Sequence, residues 1–433
     1  MKCLSTELLS SERNWKKTIV LLRIDLNLSA SELEYINKFN KKLQNDLNTT
    51  INNQSISRVD VIIPTIRALL KKNAKIIILS HFQRPRGKTI TSMSLYNLFK
   101  DIRAYLHAML YNECRITEED IKFMHTFNAD AVCNKFKSET KILMLENLRF
   151  SPEEEKNGKA FAKELAKMGD IYVNEAFSCS HRKHASIHAI TEFLPSFAGL
   201  YLESEVKSLQ QSLSKQSRPR LAIIGGSKVS TKLNTLIGVG AKVENLLIAG
   251  AMANTFLVAK GYSVGASFYE PEYVQEAKNI LKSSIALKLI LPIDVMVSSK
   301  SGSVMAVNIE SVPADTVIQD IGPKTIDFFR KKIILAHSII WNGPVGVFEK
   351  KEFSNGCIVM AMTICSAYAK GAVVVIGGGD TLSAISAVLF SAANHKYNKN
   401  GIMHLSTAGG AFLEWLEGKL LPGISALNSN LQQ

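Results

Sequence analysis

Cysteine is scarce and scattered in this chain of 433 residues. Cys3, Cys114, Cys133, Cys179, Cys357 and Cys365 form no Cys-x-x-Cys pair, which argues against a disulfide framework and fits a reducing compartment. Long apolar runs are missing too. The longest, Leu246–Ala259, is broken by Asn254 and Thr255, so no membrane span is expected. The early run Ile19–Leu22 is short and closed by Arg23 and Asp25, unlike a secretory leader. These absences predict a cytoplasmic protein with no membrane partner. No Gly-x-x-x-x-Gly-Lys-Ser/Thr stretch occurs, which argues against an ordinary P-loop site. Acidic residues are the minority: 38 Asp and Glu against 52 Lys and Arg leave a net charge of +14. The basic residues are spread along the chain with no aromatic-interleaved basic helix, so nucleic acid is not the expected partner. Anionic substrates, or a codon bias toward Lys, Asn and Ile, would produce the same excess.

What is present is an alternation of short apolar runs with helical patterns. Candidate strands are Ile19–Ile24, Lys75–Leu79, Lys141–Leu145, Asp170–Val173, Leu221–Ile224, Asn245–Ala249, Lys288–Leu291, Ser338–Trp341, Ala372–Ile376 and Ile402–Leu405. Between them, segments such as Gly158–Met168 and Glu270–Lys282 carry apolar residues at helical spacing. Alternating strand and helix predicts an α/β protein built from βαβ units. So many strands exceed one ordinary sheet, and the chain is too long for one core. Two doubly wound, Rossmann-like parallel-sheet domains are expected, joined by a hinge helix near Pro195–Leu209 with Leu202, Val206 and Leu209 on its apolar face. Ser29–Ser57 is polar and reads as a surface excursion, with a helix near Glu32–Leu47.

Ligands of open parallel sheets bind beyond the carboxyl ends of the strands. In the first half those positions are polar and largely basic. They hold Asp25 and Asn27, then Ser80 to Lys88 with His81, Arg84 and Arg86, then Glu146 to Phe150 with Arg149, then His181 to His184 with Arg182. A solvated surface side chain is the ordinary reading of any one arginine. Several at matching strand ends favour a shared, strongly anionic ligand, because guanidinium forks grip carboxylate and phosphate. Cys179, His181 and His184 lie close together, but their irregular spacing and the intervening Arg182 and Lys183 argue against zinc. In the second half the strand ends are glycine-rich: Gly225-Gly226-Ser227-Lys228, Gly250-Ala251, Asn342-Gly343-Pro344-Val345-Gly346, Gly377 to Thr381, and Ala408-Gly409-Gly410. Gly377-Gly378-Gly379-Asp380-Thr381 follows a strand and opens a helix. It is either a tight turn with an Asp cap or a phosphate cradle with a carboxylate for the accompanying metal. An anion-binding half beside a nucleotide-binding half points to phosphoryl transfer.

Taken in order, these motifs resemble those of the phosphoglycerate kinase family over almost the whole chain. The matching stretches are Leu22–Asn27, Ser80–Lys88, Glu146–Phe150, His181–Ser186, Gly225–Lys232, Trp341–Glu349, Gly377–Thr381 and Leu421–Gly423. The resemblance implies reversible transfer between 1,3-bisphosphoglycerate and ADP, giving 3-phosphoglycerate and ATP. It further implies Mg2+ as cofactor, domain closure and a monomer. It implies a glycerate-binding domain at 1–198, with 412–433 packing back onto it, and a nucleotide-binding domain at 199–411. Asp25, Leu26, Asn27, Arg58, His81, Phe82, Gln83, Arg84, Arg149 and Arg182 would bind the glycerate; Arg58 is assigned because it stands six residues before Pro64. Lys232, Asn342, Glu349, Gly378, Gly379, Asp380 and Thr381 would bind nucleotide, with Asp380 holding its magnesium. Arg58, Lys228 and Lys232 would be catalytic. The chain departs from the family pattern at Gln83, Ala251, Ala408 and Ser178, which replace glycines. It departs also at Leu26 for Phe, Ser29 for Pro, and a longer loop before Arg58. A basic binding protein on the same scaffold, weakened in catalysis by the glycine changes, is the alternative.

Overall fold

The computed structural model of the protein describes residues 1–9, 13–45, 57–136, 140–394 and 402–429. It divides into two units, Met1–Glu205 with Leu420–Gln433, and Val206–Lys419. In the first, β1 (Ile19–Arg23), β2 (Lys75–Leu79), β3 (Ile121–Met124), β4 (Ile142–Leu145), β5 (Ile171–Asn174) and β6 (Ser196–Ala198) form a parallel sheet ordered β3-β4-β2-β1-β5-β6. Val and Ile suit a pleated surface, and with both faces covered the central strands are buried along nearly their whole length.

The second unit contains β7 (Arg220–Ile224), β8 (Asn245–Ile248), β9 (Leu289–Ile290), β10 (Asp294–Ser299), β11 (Val304–Asn308), β12 (Thr316–Ile321), β13 (Ser338–Asn342), β14 (Val373–Gly377) and β15 (Ile402–Ser406). Six of these form a parallel sheet ordered β15-β14-β13-β7-β8-β9. The alternation of strand and helix thus gives an α/β protein with two six-stranded parallel sheets, as expected. The same unit carries a three-stranded antiparallel sheet, β11-β10-β12, that the sequence reading did not anticipate. Its strands mix Ser, Asp, Gln and Asn with Val and Ile, and β11 is mostly exposed, so no buried run announces them. Edge strands β3 and β6 were hidden for related reasons: β3 is half-exposed and β6 has three residues.

Two boundaries differ from those expected from the resemblance. The helix Leu200–Ser212 carries the division between Glu205 and Val206 inside it, rather than starting after residue 198. The return of the C-terminal segment begins at Leu420 rather than 412. Phe412 is buried in the second unit against Gly377, where a Cβ would lie 2.7 Å from its ring. Farther on, the Gly423 N–H donates to Ser180 O at 2.9 Å in the first unit. The helix expected near Glu32–Leu47 is observed as Ala30–Asn45; residues 46–56 of that polar segment, and 430–433 of the tail, lie outside the described residues. Among the described residues no helix is long and apolar enough to cross a membrane.

Trp341 anchors the second core. It is fully buried beside Ile223, Phe329 and Ile376, and its Nε1 donates to Gly343 O at 2.8 Å, tying the core to the turn after β13. Trp341→Ala is expected to destabilise the protein by about 3–5 kcal/mol. Denaturant unfolding followed by circular dichroism measures this, and a loss under about 1 kcal/mol would contradict the packing described.

Candidate active site

In the first unit, every pairing in the sheet is parallel, so the carboxyl ends of β1, β2, β4 and β5 share one edge. Arg23, the last residue of β1, is only 1% exposed. Its Nε donates to Ser186 Oγ at 2.9 Å, Nη1 donates to the Ile24 carbonyl, and Nη2 lies 3.1 Å from His81 Nδ1. Ser186 in turn donates to the fully buried Glu154 carboxylate at 2.6 Å. A buried cation is thereby matched to a buried anion through one hydroxyl.

Just beyond this lies a connected set of polar groups. Asp25 accepts the Asn27 N–H at 2.9 Å and the Ser178 hydroxyl, with Arg58 Nε at 3.5 Å. Burial opposes ionisation of this carboxyl, but neighbouring His81 and Arg58 and these hydrogen bonds outweigh it and hold it at about 2. Burial, reinforced by Arg23 and Arg149 against the pull of Asp25, keeps the His81 imidazole well below its ordinary range. Asn27 Oδ1 accepts the Gln83 N–H at 2.8 Å, and Arg149 Nη1 donates to Gln83 O at 2.6 Å. Asn147 staples the two loops: its Nδ2 donates to Phe82 O at 2.7 Å and its Oδ1 accepts the Arg149 N–H at 3.1 Å. Asp25, Asn27, Arg58, His81, Gln83 and Arg149 are therefore brought together. Arg182 is half-buried with its Nε 3.2 Å from His181 Nε2, and Arg84 is exposed. Leu26 and Phe82 place their side chains in the hydrophobic core, so a ligand contact at either position falls to the backbone. Asp25, His81 and Cys179 also cluster at metal-ligand range, but the Arg23 guanidinium reaches both His81 and Cys179 and opposes a cation there.

The second unit builds its site from backbone. The turns after β7, β8 and β13 interlock: a Cβ on Gly225 would lie 2.2 Å from Pro344 O, one on Gly250 2.6 Å from Gly226 O, and one on Gly343 2.3 Å from Gly225 O. Gly250 and Gly343 also have φ of +67° and +94°. Only glycine satisfies both demands. Lys232 Nζ donates to Gly225 O at 2.7 Å and to Asn342 O at 3.3 Å. Burial pushes this lysine down to about 8, with the Asp380 carboxylate pulling the other way. Asp380 is exposed in the first turn of the helix Gly379–Asn394, and Lys228 is exposed after β7. Thr381 is buried, and its hydroxyl is already engaged: it accepts the Gly343 N–H at 2.7 Å and donates to Gly377 O at 3.0 Å. Asn342 Nδ2 likewise donates to Gly377 O at 2.8 Å. Both side chains brace the turn, in which Gly378 is partly exposed and Gly379 exposed. A cavity of 310 Å³ opens beside these turns, lined by Gly226, Asn254, Val345, Glu349 and Asp380 among others.

These are two strand-end sites of opposite construction, one of charged side chains and one of glycine backbone. The family model for phosphoglycerate kinase matches residues 11–419. The chain belongs to the phosphoglycerate kinase family. It is 39% identical over 426 residues to the phosphoglycerate kinase of Prosthecochloris aestuarii, covering 96% of this chain and 98% of that one. The phosphoglycerate kinase of Wolbachia sp. subsp. Brugia malayi is 40% identical over 399 residues, covering 90% of this chain and 95% of that one. Among solved structures, phosphoglycerate kinase from Coxiella burnetii matches with a TM-score of 0.74 at 32% identity, over 97% of this chain and 98% of that chain. That from Pyrococcus horikoshii gives 0.75 at 26%, covering 100% of both. The family works with magnesium nucleotide.

Three residues of this phosphoglycerate kinase family member escaped the sequence reading. Arg23 looked like the end of an apolar run; its signal was a charge placed inside an otherwise buried strand, which demands a partner. Asp320 lines the cavity and is pushed up to about 7 by burial, against the N–H groups of Gly356 and Ile321 that it accepts. Glu32 binds Arg58 across a gap of 26 residues, which no local pattern reveals. Of the four residues that replace family glycines, only Gln83 is left-handed: its φ is +55°, whereas Ala251 is right-handed helical at −63° and neither Ala408 nor Ser178 has a positive φ. Both Gln83 backbone bonds survive substitution by glycine. Gln83→Gly is therefore expected to stabilise the protein by about 0.5–1 kcal/mol, and Gln83→Ala not to. Paired thermal melts check this; equal melting temperatures for the two variants would contradict it.

Proposed function

We propose that the two sites divide the labour of one reaction, exchange of a phosphoryl group between 1,3-bisphosphoglycerate and ADP. Phosphoglycerate kinase activity, in glycolysis, is the activity of this family member. The observation that supports the division is the contrast in construction: cationic side chains at one set of strand ends, a side-chain-free cradle at the other. In this reading the first unit is the glycerate domain, where Asp25, Asn27, His81, Arg84, Arg149 and Arg182 hold the glycerate, with backbone contacts from Leu26, Phe82 and Gln83. The second unit is the nucleotide domain, where Gly378 and Gly379 present backbone N–H groups to phosphates at a helix N-terminus. Lys232 neutralises them and Glu349 takes the ribose, while Thr381 and Asn342 hold the turn in shape.

The nucleophiles, a carboxylate or an ADP phosphate, already carry charge, so no strong general base is needed. Alignment and neutralisation of the passing oxygens do the catalytic work, and Arg58, Lys228 and Lys232 are the groups assigned to it. Asp380 fits a magnesium ion: it is an exposed, hard carboxylate making no hydrogen bond among the described residues, and this metal takes one or two carboxylates plus substrate phosphates. When bound, the metal supplies charge neutralisation to the nucleotide phosphates. Closure of the two domains would keep water from the acyl phosphate. The protein is proposed to act as a cytoplasmic monomer.

A coupled assay with 3-phosphoglycerate, ATP and magnesium tests the activity. Turnover above about 1 s⁻¹ is expected; slower turnover with salt-sensitive nucleic-acid binding would favour a weakened binding protein instead. Asp380→Ala is expected to weaken MgADP binding about tenfold or more while 3-phosphoglycerate binding stays within about twofold, by calorimetry. Because Lys232 is charged only below about 8, affinity for MgADP should fall as pH rises through that value. A loss on the order of tenfold between pH 7 and 9.5 is expected, and Lys232→Met should flatten the dependence. A pH-independent affinity in the unsubstituted protein would refute the assignment.

A further inference from the structure

We propose that Glu32, on the helix that lengthens the loop before Arg58, is a positioning residue that fixes this arginine for phosphoryl transfer. The proposal rests on the reading of Arg58 as catalytic and names what holds it.

Glu32 opens the helix Ala30–Asn45 as half of a reciprocal cap. The Glu32 N–H donates to Ser29 Oγ at 3.3 Å, and the Ser29 N–H donates back to Glu32 Oε2 at 2.8 Å. The same carboxylate holds Arg58 twice. Its Oε1 accepts the Arg58 backbone N–H at 3.0 Å, and its Oε2 lies 3.1 Å from Arg58 Nη1. One acid thus sets both the main-chain register and the guanidinium direction. Asp25 takes the Nε side at 3.5 Å, and Nη1 also donates to Asn27 O. Nη2 makes no hydrogen bond among the described residues, so it is the edge of the fork left for an anion.

A clamp is useful only if it is itself fixed. The helix is docked through Ile36 and Phe39, both buried in the core of the first unit. Phe39 packs on Tyr105 with ring centroids 4.6 Å apart, and Asn40 Nδ2 donates to Asp101 O at 3.0 Å. Tyr105 and Asp101 belong to the helix Tyr96–Cys114, and Tyr105 also donates to Asp60, whose other oxygen accepts the Ser57 N–H at 2.9 Å. Both the clamp and the residues flanking Arg58 are therefore tied to one packed helix. Such rigid support for a reacting group is what productive geometry requires, since a misplacement of about 1 Å costs on the order of a hundredfold in rate.

The test is a double-mutant cycle in the full-length protein, with steady-state kinetics on 3-phosphoglycerate and MgATP. Glu32→Gln keeps an acceptor for the Ser29 cap but removes the charge that holds the guanidinium. It should lower kcat about 10- to 100-fold with both KM values within about threefold. Arg58→Ala should lower kcat further, and adding Glu32→Gln to it should cost nothing more. Thermal melts of all variants separate loss of fold from loss of positioning. Full kcat in Glu32→Gln, or the same loss with and without Arg58, would overturn the proposal. Full kcat in Arg58→Ala would instead overturn the catalytic reading of Arg58, and the two failures are distinct in the cycle.

Discussion

A guanidinium removed from water governs the first unit. Arg23 terminates a buried strand, and a charge there is tolerated only with partners arranged around it. Those partners come from three other strand ends: His81 after β2, Glu154 after β4 through Ser186, and Ser186 itself after β5. The loops cannot drift independently without leaving a buried charge unanswered. Everything nearer the surface, including Asp25, Asn27, Gln83 and Arg149, is built on that fixed base. It also sets the electrostatic character of the edge, since the field of Arg23 and Arg149 helps keep the adjoining histidine uncharged while Asp25 stays ionised.

The two units build their strand-end sites differently. The first uses forks of long cationic side chains, which need carboxylates and carbonyls to hold their direction. The second withdraws side chains, which leaves glycine backbone and the start of the helix Gly379–Asn394 at its strand ends. Lys232 is an exception that shares the second unit's logic: its ammonium rests on two carbonyls, half out of water, and burial weakens its hold on its proton. A group poised in this way gains charge stabilisation when an anion arrives.

The sequence made the buried part of each sheet legible, because parallel strands covered on both faces read as continuous Val and Ile runs. The antiparallel β10–β12 sheet and the edge strands had no such run, since their stabilisation comes from pairing and partial exposure. Site residues that directly follow strands were legible for a topological reason: parallel strands place their carboxyl ends together wherever the sheet falls. Arg58 and Glu32 follow no strand, and their meeting depends on how a helix docks, which local composition does not encode. What local sequence does not show is how the side chains of Thr381 and Asn342 are engaged within the turn.

The interlocked glycines after β7, β8 and β13 limit how this protein could be redesigned. Because each turn occupies the space where its neighbour's first side-chain atom would go, none of the three is an independent variable. An engineer seeking to reshape the adjoining cavity would find these turns closed to exchange. The freedom lies in the walls, at residues such as Val347 and Phe348, which line the cavity, carry side chains and are only partly buried.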